Sequence, residues 1–242
     1  MKRYVGITGF VNRAEVDFAL SVLPEGLTLM CGVLVSAKSL AGVKNKWHRR
    51  YPAPEEIAGI FSPDPRCLNL IHYCSDTPPP WDTIRDLARL GGCGFQFNGA
   101  YPEPDTLLRI VDKMIVLQVR PGKTTPDAFR AAVSGTWNCE THALIDGSGG
   151  MGREADPRTL AAWATTISGY FGSDIGLGFA GGLDADSLPR IAHEVRTWGA
   201  SIDAEGRLRD GDEGGTLNLD KARAYLRAAG EIMAPTAQEQ GR

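Results

Sequence analysis

The stretch ALIDGSGGMGREAD, residues 143–156, is the key to the chain. An apolar run from Ala143 to Ile145 ends in a carboxylate, Asp146. Glycines crowd residues 147–152 with only Ser148 and Met151 between them, Arg153 and Asp156-Pro157 follow, and a helical pattern begins near Arg158. This order predicts a buried strand, an acid at its carboxyl end and a flexible loop feeding a helix. Ligands of α/β proteins bind at the carboxyl ends of parallel strands, so Asp146 stands where chemistry is usually done; the plainer alternative is a Gly-rich turn capped by an aspartate.

Outward from this unit the same alternation recurs. Apolar segments at Tyr4–Thr8, Leu27–Val35, Cys67–Cys74, Gly94–Phe97, Met114–Val119, His142–Ile145, Ile175–Ala180 and Ser201–Ile202 read as strands. Helical patterns lie between them, at Arg13–Val22, from Pro54, at Trp81–Leu90, Asp105–Val111, Pro126–Ser134, Thr159–Tyr170 and Asp184–Val195, and a last helix spans Leu219–Ala229. Near-continuous apolar runs such as 27–35 fit strands buried on both faces of a parallel sheet. Eight strand–helix units joined by right-handed crossovers predict a closed (β/α)8 TIM barrel, an α/β fold whose usual length of roughly 250 residues suits a chain of 242. No linker divides it, so residues 1–242 are expected to form one domain, with a polar, frayed tail from Pro235.

Composition narrows the function classes. The formal net charge of -3 supplies no basic patch for nucleic acid, and no apolar run approaches the roughly 20 residues of a membrane span. The opening MKRYVGIT enters a strand pattern at once, which predicts no signal peptide and a cytoplasmic location. Five cysteines, scattered and without a C-x-x-C pair, predict reduced thiols and no metal site.

The strand ends match a known pattern. Arg3 to Thr8 (RYVGIT), Phe95 to Gly99 (FQFNG) with Pro102-Glu103, Leu144-Ile145-Asp146 with its glycines and Arg153, and Phe179 to Leu183 (FAGGL) occur in the order found in phosphoribosylanthranilate isomerases, and the chain resembles that family over nearly its whole length. The resemblance implies a barrel enzyme performing an Amadori rearrangement, in which an aminoaldose phosphate of tryptophan biosynthesis opens and becomes an aminoketose. An acid must protonate the ring oxygen and a base must remove the proton from C2. Asp146 is the acid implied. Gln96 and Asn98 are implied polar contacts, and Gly150, Gly181, Gly182 and Ser201 are the expected substrate and anion contacts. No cofactor is implied, and the expected partner is a phosphosugar or another small anion, bound by a monomer or homodimer.

Three departures shape the expectations. The family's cysteine base is matched by Val5, which cannot accept a proton; His72 and Cys74, two residues apart on one strand face, are the candidate replacements, with core packing as the alternative. The segment after strand eight carries Asp203 and Glu205, which would repel a phosphate unless turned away or offset by Arg207 or Arg209. The polar loop 36–51 separates Lys38-Ser39 from Arg50-Tyr51. Arg50 is a planar fork suited to a carboxylate, whereas a solvated basic loop is the alternative. A different isomerase or lyase, or a non-catalytic small-anion binder, remains open on the same scaffold.

Overall fold

The computed structural model describes residues 1–44, 47–148, 153–211 and 215–234. Gly150 and the tail from Pro235 lie outside the described residues. Strands β1 (Val5–Thr8), β2 (Leu29–Ser36), β3 (Cys67–Ser75), β4 (Gly94–Gly99), β5 (Met114–Val119), β6 (Glu140–Asp146), β7 (Gly176–Ala180) and β8 (Ser201–Ala204) pair in parallel, and β8 returns to β1 to close the barrel. Helices α1 (Arg13–Ser21), α2 (Ala37–Leu40), α3 (Ile57–Ile60), α4 (Trp81–Ala88), α5 (Pro104–Leu107), α6 (Pro126–Val133), α7 (Pro157–Phe171), α8 (Leu188–Thr197) and α9 (Leu219–Met233) connect or cover the strands. The helix expected over Asp105–Val111 stops at Leu107 and leaves Leu108 and Val111 exposed. Within the second loop Ser36 and Ser39 cap α2 reciprocally, and His48–Arg50 form a 3-10 turn.

Strand alternation splits the core in two. Val5, Ile7, Cys31, Val33, Ile71, Phe95, Phe97, Ile115, Ile145, Phe179 and Ile202 face the helices and pack with Val16, Leu160, Leu188 and Leu226. The intervening residues fill the barrel. Its lower part is apolar, built from Tyr4, Met30, Leu70, Met114, Val116 and Leu144. Gly6, paired in register with Asp203, has no side chain because a Cβ there would lie 2.6 Å from the Met30 Cε and 2.7 Å from Asp203 Oδ1.

Two expectations change at this level. Val5 lies in the helix-facing layer, so it borders no cavity in the barrel, and any β1 residue acting on a ligand at the mouth must stand where Thr8 does. Strand eight continues through Ala204 rather than ending at Ile202, which makes Asp203 a barrel-interior residue. Ser201, two residues earlier on the same face, is carried towards the amino-terminal end; its Oγ accepts from Tyr4 N at 3.1 Å and borders a surface recess with Met1, Arg3 and Trp198. Ser201 is therefore corrected from a substrate contact to a strand-end bond.

Candidate functional site

Above the apolar floor, six strands place polar side chains in one layer: Thr8 from β1, His72 from β3, Gln96 from β4, Gln118 from β5, Asp146 from β6 and Asp203 from β8, all buried. A barrel interior is normally packed with branched apolar residues. Burying six polar groups costs free energy unless each is hydrogen-bonded.

The layer is wired from two carboxylates. Thr8 Oγ1 donates towards Asp203 Oδ1 and Oδ2 at 3.0 and 3.1 Å, and Gln96 Nε2 towards Asp203 Oδ2 at 3.3 Å. Thr8 Oγ1 also lies 3.3 Å from His72 Nδ1. Asp146 Oδ2 accepts from Gln118 Nε2 at 2.7 Å, while its Oδ1 accepts from Ser148 N at 2.9 Å and Ser148 Oγ at 2.8 Å. Burial pushes the Asp203 carboxyl up to about 7; the Gln96 and Thr8 donors pull against this, and the charges of Glu205 and Asp146 add to it. Burial also pulls His72 down to about 4, so the imidazole is neutral at pH 7 and a weak base. Cys74 is pushed up to about 12, chiefly by burial and next by the Glu205 charge, which leaves a thiol there at neutral pH.

His72, Gln96, Asn98, Gln118, Asp146 and Asp203 border one funnel of about 530 Å³, including its solvent-open part, and Arg50, Gly181, Gly182, Glu205 and Arg207 form its rim. Of the sequence-predicted site residues within the described part, the funnel gathers Arg50, His72, Gln96, Asn98, Asp146, Gly181 and Gly182, but neither Ser201 nor Cys74. Arg50 is buried, ion-paired through Nη1 to Glu205 Oε1 at 2.7 Å, with its guanidinium 4.6 Å from the Trp47 ring centroid. Gly181 has φ 110°, and a Cβ there would lie 3.1 Å from Ser148 N and 3.2 Å from Asp146 Oδ1. This glycine lets the β6 turn lie against the end of β7 and so fixes where Asp146 points. Asp203 and Glu205 both face the site, contrary to the outward orientation that phosphate binding asked for. Arg209 feels the Glu205 charge, and its Nη2 donates to the backbone carbonyls of Thr8 and Gly9 beneath the rim.

Thr8 and Gln118 were not singled out from the sequence, and Asp203 was read only as a charge opposing phosphate, not as a buried residue of the barrel. The available signal was period-two alternation: extending β8 by two residues puts Asp203 on the Ser201 face and inside the barrel.

Among the described residues no His, Cys, Asp and Glu cluster suits a metal ion, and no helix is long and apolar enough to cross a membrane.

No protein-family model matches the chain, and no curated protein matches it. Solved structures do resemble it. A phosphoribosylanthranilate isomerase from Thermus thermophilus superimposes with a TM-score of 0.66 at 17% identity, over 95% of this chain and 99% of that one. A phosphoribosylanthranilate isomerase in complex with reduced 1-(o-carboxyphenylamino)-1-deoxyribulose 5-phosphate gives 0.65 at 18% identity, over 96% and 100%. The catalytic domain of a hyperthermophilic chitinase from Pyrococcus furiosus gives 0.59 at 8% identity, over 98% of each chain. At these identities the likeness establishes the barrel fold, which hosts many unrelated reactions.

Proposed function

We propose that the chain is an isomerase that converts an aminoaldose to an aminoketose by an Amadori-type rearrangement, the reaction class of the phosphoribosylanthranilate isomerases it resembles. One observation carries this reading: two buried carboxylates, Asp146 and Asp203, enter the same funnel from β6 and β8, and Asp203 titrates near 7. A proton-transfer catalyst works best with a pKa close to the working pH.

In the proposed mechanism Asp146 donates its proton to the ring oxygen, and the C–O bond at C1 breaks to leave a protonated imine. Asp203 then takes the proton from C2, and the C–H electron pair forms the enaminol. Protonation at C1 and loss of the C2 hydroxyl proton complete the aminoketose, with no net change in composition. Gln118 and Ser148 hold Asp146, and Thr8 and Gln96 hold Asp203, so little reorganisation is needed during the reaction. Asp203 supplies the base that Val5 cannot. A second titratable group inside the funnel also weighs against a purely binding barrel. Gln96 and Asn98, which border the funnel, would meet sugar hydroxyls.

The test is turnover of N-ribosylanthranilate and of its 5-phosphate, followed by the fall in anthranilate fluorescence. Isomerisation by the wild type that disappears in Asp146→Asn and Asp203→Asn is expected. A folded wild type that turns over neither compound, or an Asp203→Asn variant with undiminished turnover, would sink the assignment.

A further inference from the structure

The rim carries a charge pattern that bears on the substrate, and the inference drawn from it rests on the isomerase reading above. We propose that the substrate is an aminoaldose without a phosphate, presenting hydroxyls and its amine to an acid-dominated funnel.

Among the described residues the funnel is bordered by two arginines, Arg50 and Arg207, against three carboxylates, Asp146, Asp203 and Glu205. Both arginines are engaged by carboxylates of the chain itself. Arg50 Nη1 meets Glu205 at 2.7 Å, with the Arg50 side chain only 10% exposed. Arg207 Nη1 meets Asp184 Oδ2 at 3.1 Å and Glu154 Oε1 at 3.2 Å, and Glu154 is shared with Arg190. His72 adds no positive charge, since burial keeps it neutral. A phosphate dianion entering this rim would have to displace carboxylates from both arginines while facing Glu205 and Asp203.

Part of the backbone is already committed. At the start of α8, where a barrel of this kind can hold phosphate through free N–H groups, the amide of Ser187 already donates to Asp184 Oδ1 at 2.8 Å, and that of Asp184 to Ser187 Oγ at 2.8 Å. Gly181, the expected anion contact, instead accommodates the turn bearing Asp146 and Ser148. A sugar hydroxyl, by contrast, donates to a carboxylate at no electrostatic cost.

Two non-reacting probes that differ only in the phosphate decide the matter: 1-amino-1-deoxyribitol and its 5-phosphate, titrated calorimetrically into the wild type at pH 8, with inorganic phosphate as competitor. The unphosphorylated compound is expected to bind at least about tenfold more tightly and to be undisturbed by millimolar phosphate. Glu205→Gln, which frees Arg50 and removes one repelling charge, should narrow or invert the ratio; Asp184→Asn should do the same through Arg207. Tighter binding of the 5-phosphate by the wild type, or competition by inorganic phosphate, would overturn the inference. Binding of neither probe would overturn it together with the aminoaldose assignment, whereas selective binding without any isomerisation would leave it standing and remove only the proposed reaction.

Discussion

Replacing Asp203 by asparagine should change how the stability of the barrel responds to pH more than it changes stability at any one pH. In the folded chain the carboxyl is pushed up from 3.8 to about 7 by burial, opposed by Gln96 and Thr8 and reinforced by Glu205 and Asp146. A raised carboxyl binds its proton more tightly in the folded state. Its stabilisation is therefore full below about pH 3.8 and is lost as pH rises to about 7, a total of about 4 kcal/mol. His72 works the other way. Its pKa falls from 6.5 to about 4, again by burial, so its contribution is full above 6.5 and is lost as pH falls to about 4, a total of about 3 kcal/mol. Between pH 4 and 6.5 the two slopes oppose each other, and the wild type should show little of either. Asp203→Asn exposes the histidine slope, and His72→Gln the aspartate slope. Urea unfolding at half-unit steps from pH 4 to 8 measures both, and the difference between wild type and each variant removes groups common to the two. A wild-type-minus-Asp203→Asn difference that stays constant over this range would refute the burial argument, and with it the base assigned to the site.

Three further outcomes follow from the same geometry. Asp146→Asn should lower kcat by about 10²–10⁴ while leaving the unfolding free energy within about 1 kcal/mol of wild type, since the amide oxygen keeps both Ser148 contacts and the Gln118 amide can turn its oxygen to the new NH2; a smaller loss of turnover would remove Asp146 from the chemistry. Thr8→Val deletes the hydroxyl donor that holds Asp203 down, so the acidic limb of the kcat/KM profile, expected near pH 7, should move to higher pH, whereas Thr8→Ser should leave it in place; an unmoved limb in Thr8→Val would show that another group controls it. Gly181→Ala puts a Cβ 3.1 Å from Ser148 N at a backbone φ of 110°, which should cost about 1–3 kcal/mol and depress turnover by displacing Asp146; unchanged stability and turnover would show that this contact does not position the acid.

Much of the barrel is written in the sequence because a parallel strand buried on both faces favours a near-continuous apolar run, as at 29–35 and 114–117, and even 67–74 is broken only by Asn69 and His72. The funnel around Asp146 was legible for the same reason: an acid closing an apolar run stands at a strand end. Asp203 was hidden by the converse. In Ser201-Ile202-Asp203-Ala204 polar and apolar residues alternate within four positions, and an aspartate there looks like the start of a loop until the register Gly6↔Asp203 places it inside. The outward face of Val5 follows from the same period. Residues 5 and 8 face opposite sides of β1, and motif order along the chain says nothing about face. The pairing of Arg50 with Glu205 joins residues 155 apart and has no local signal.

The apolar floor beneath the polar layer gives the barrel a closed end. Tyr4, Met30, Leu70, Met114, Val116 and Leu144 leave Asp203 no route to bulk water from below. Once a substrate covers the funnel, a proton taken up by Asp203 is stranded with the molecule it came from. The vessel then favours return of that same proton to its donor over exchange with solvent, and a heavy isotope at C2 becomes a record of how well the lid formed by the substrate fits.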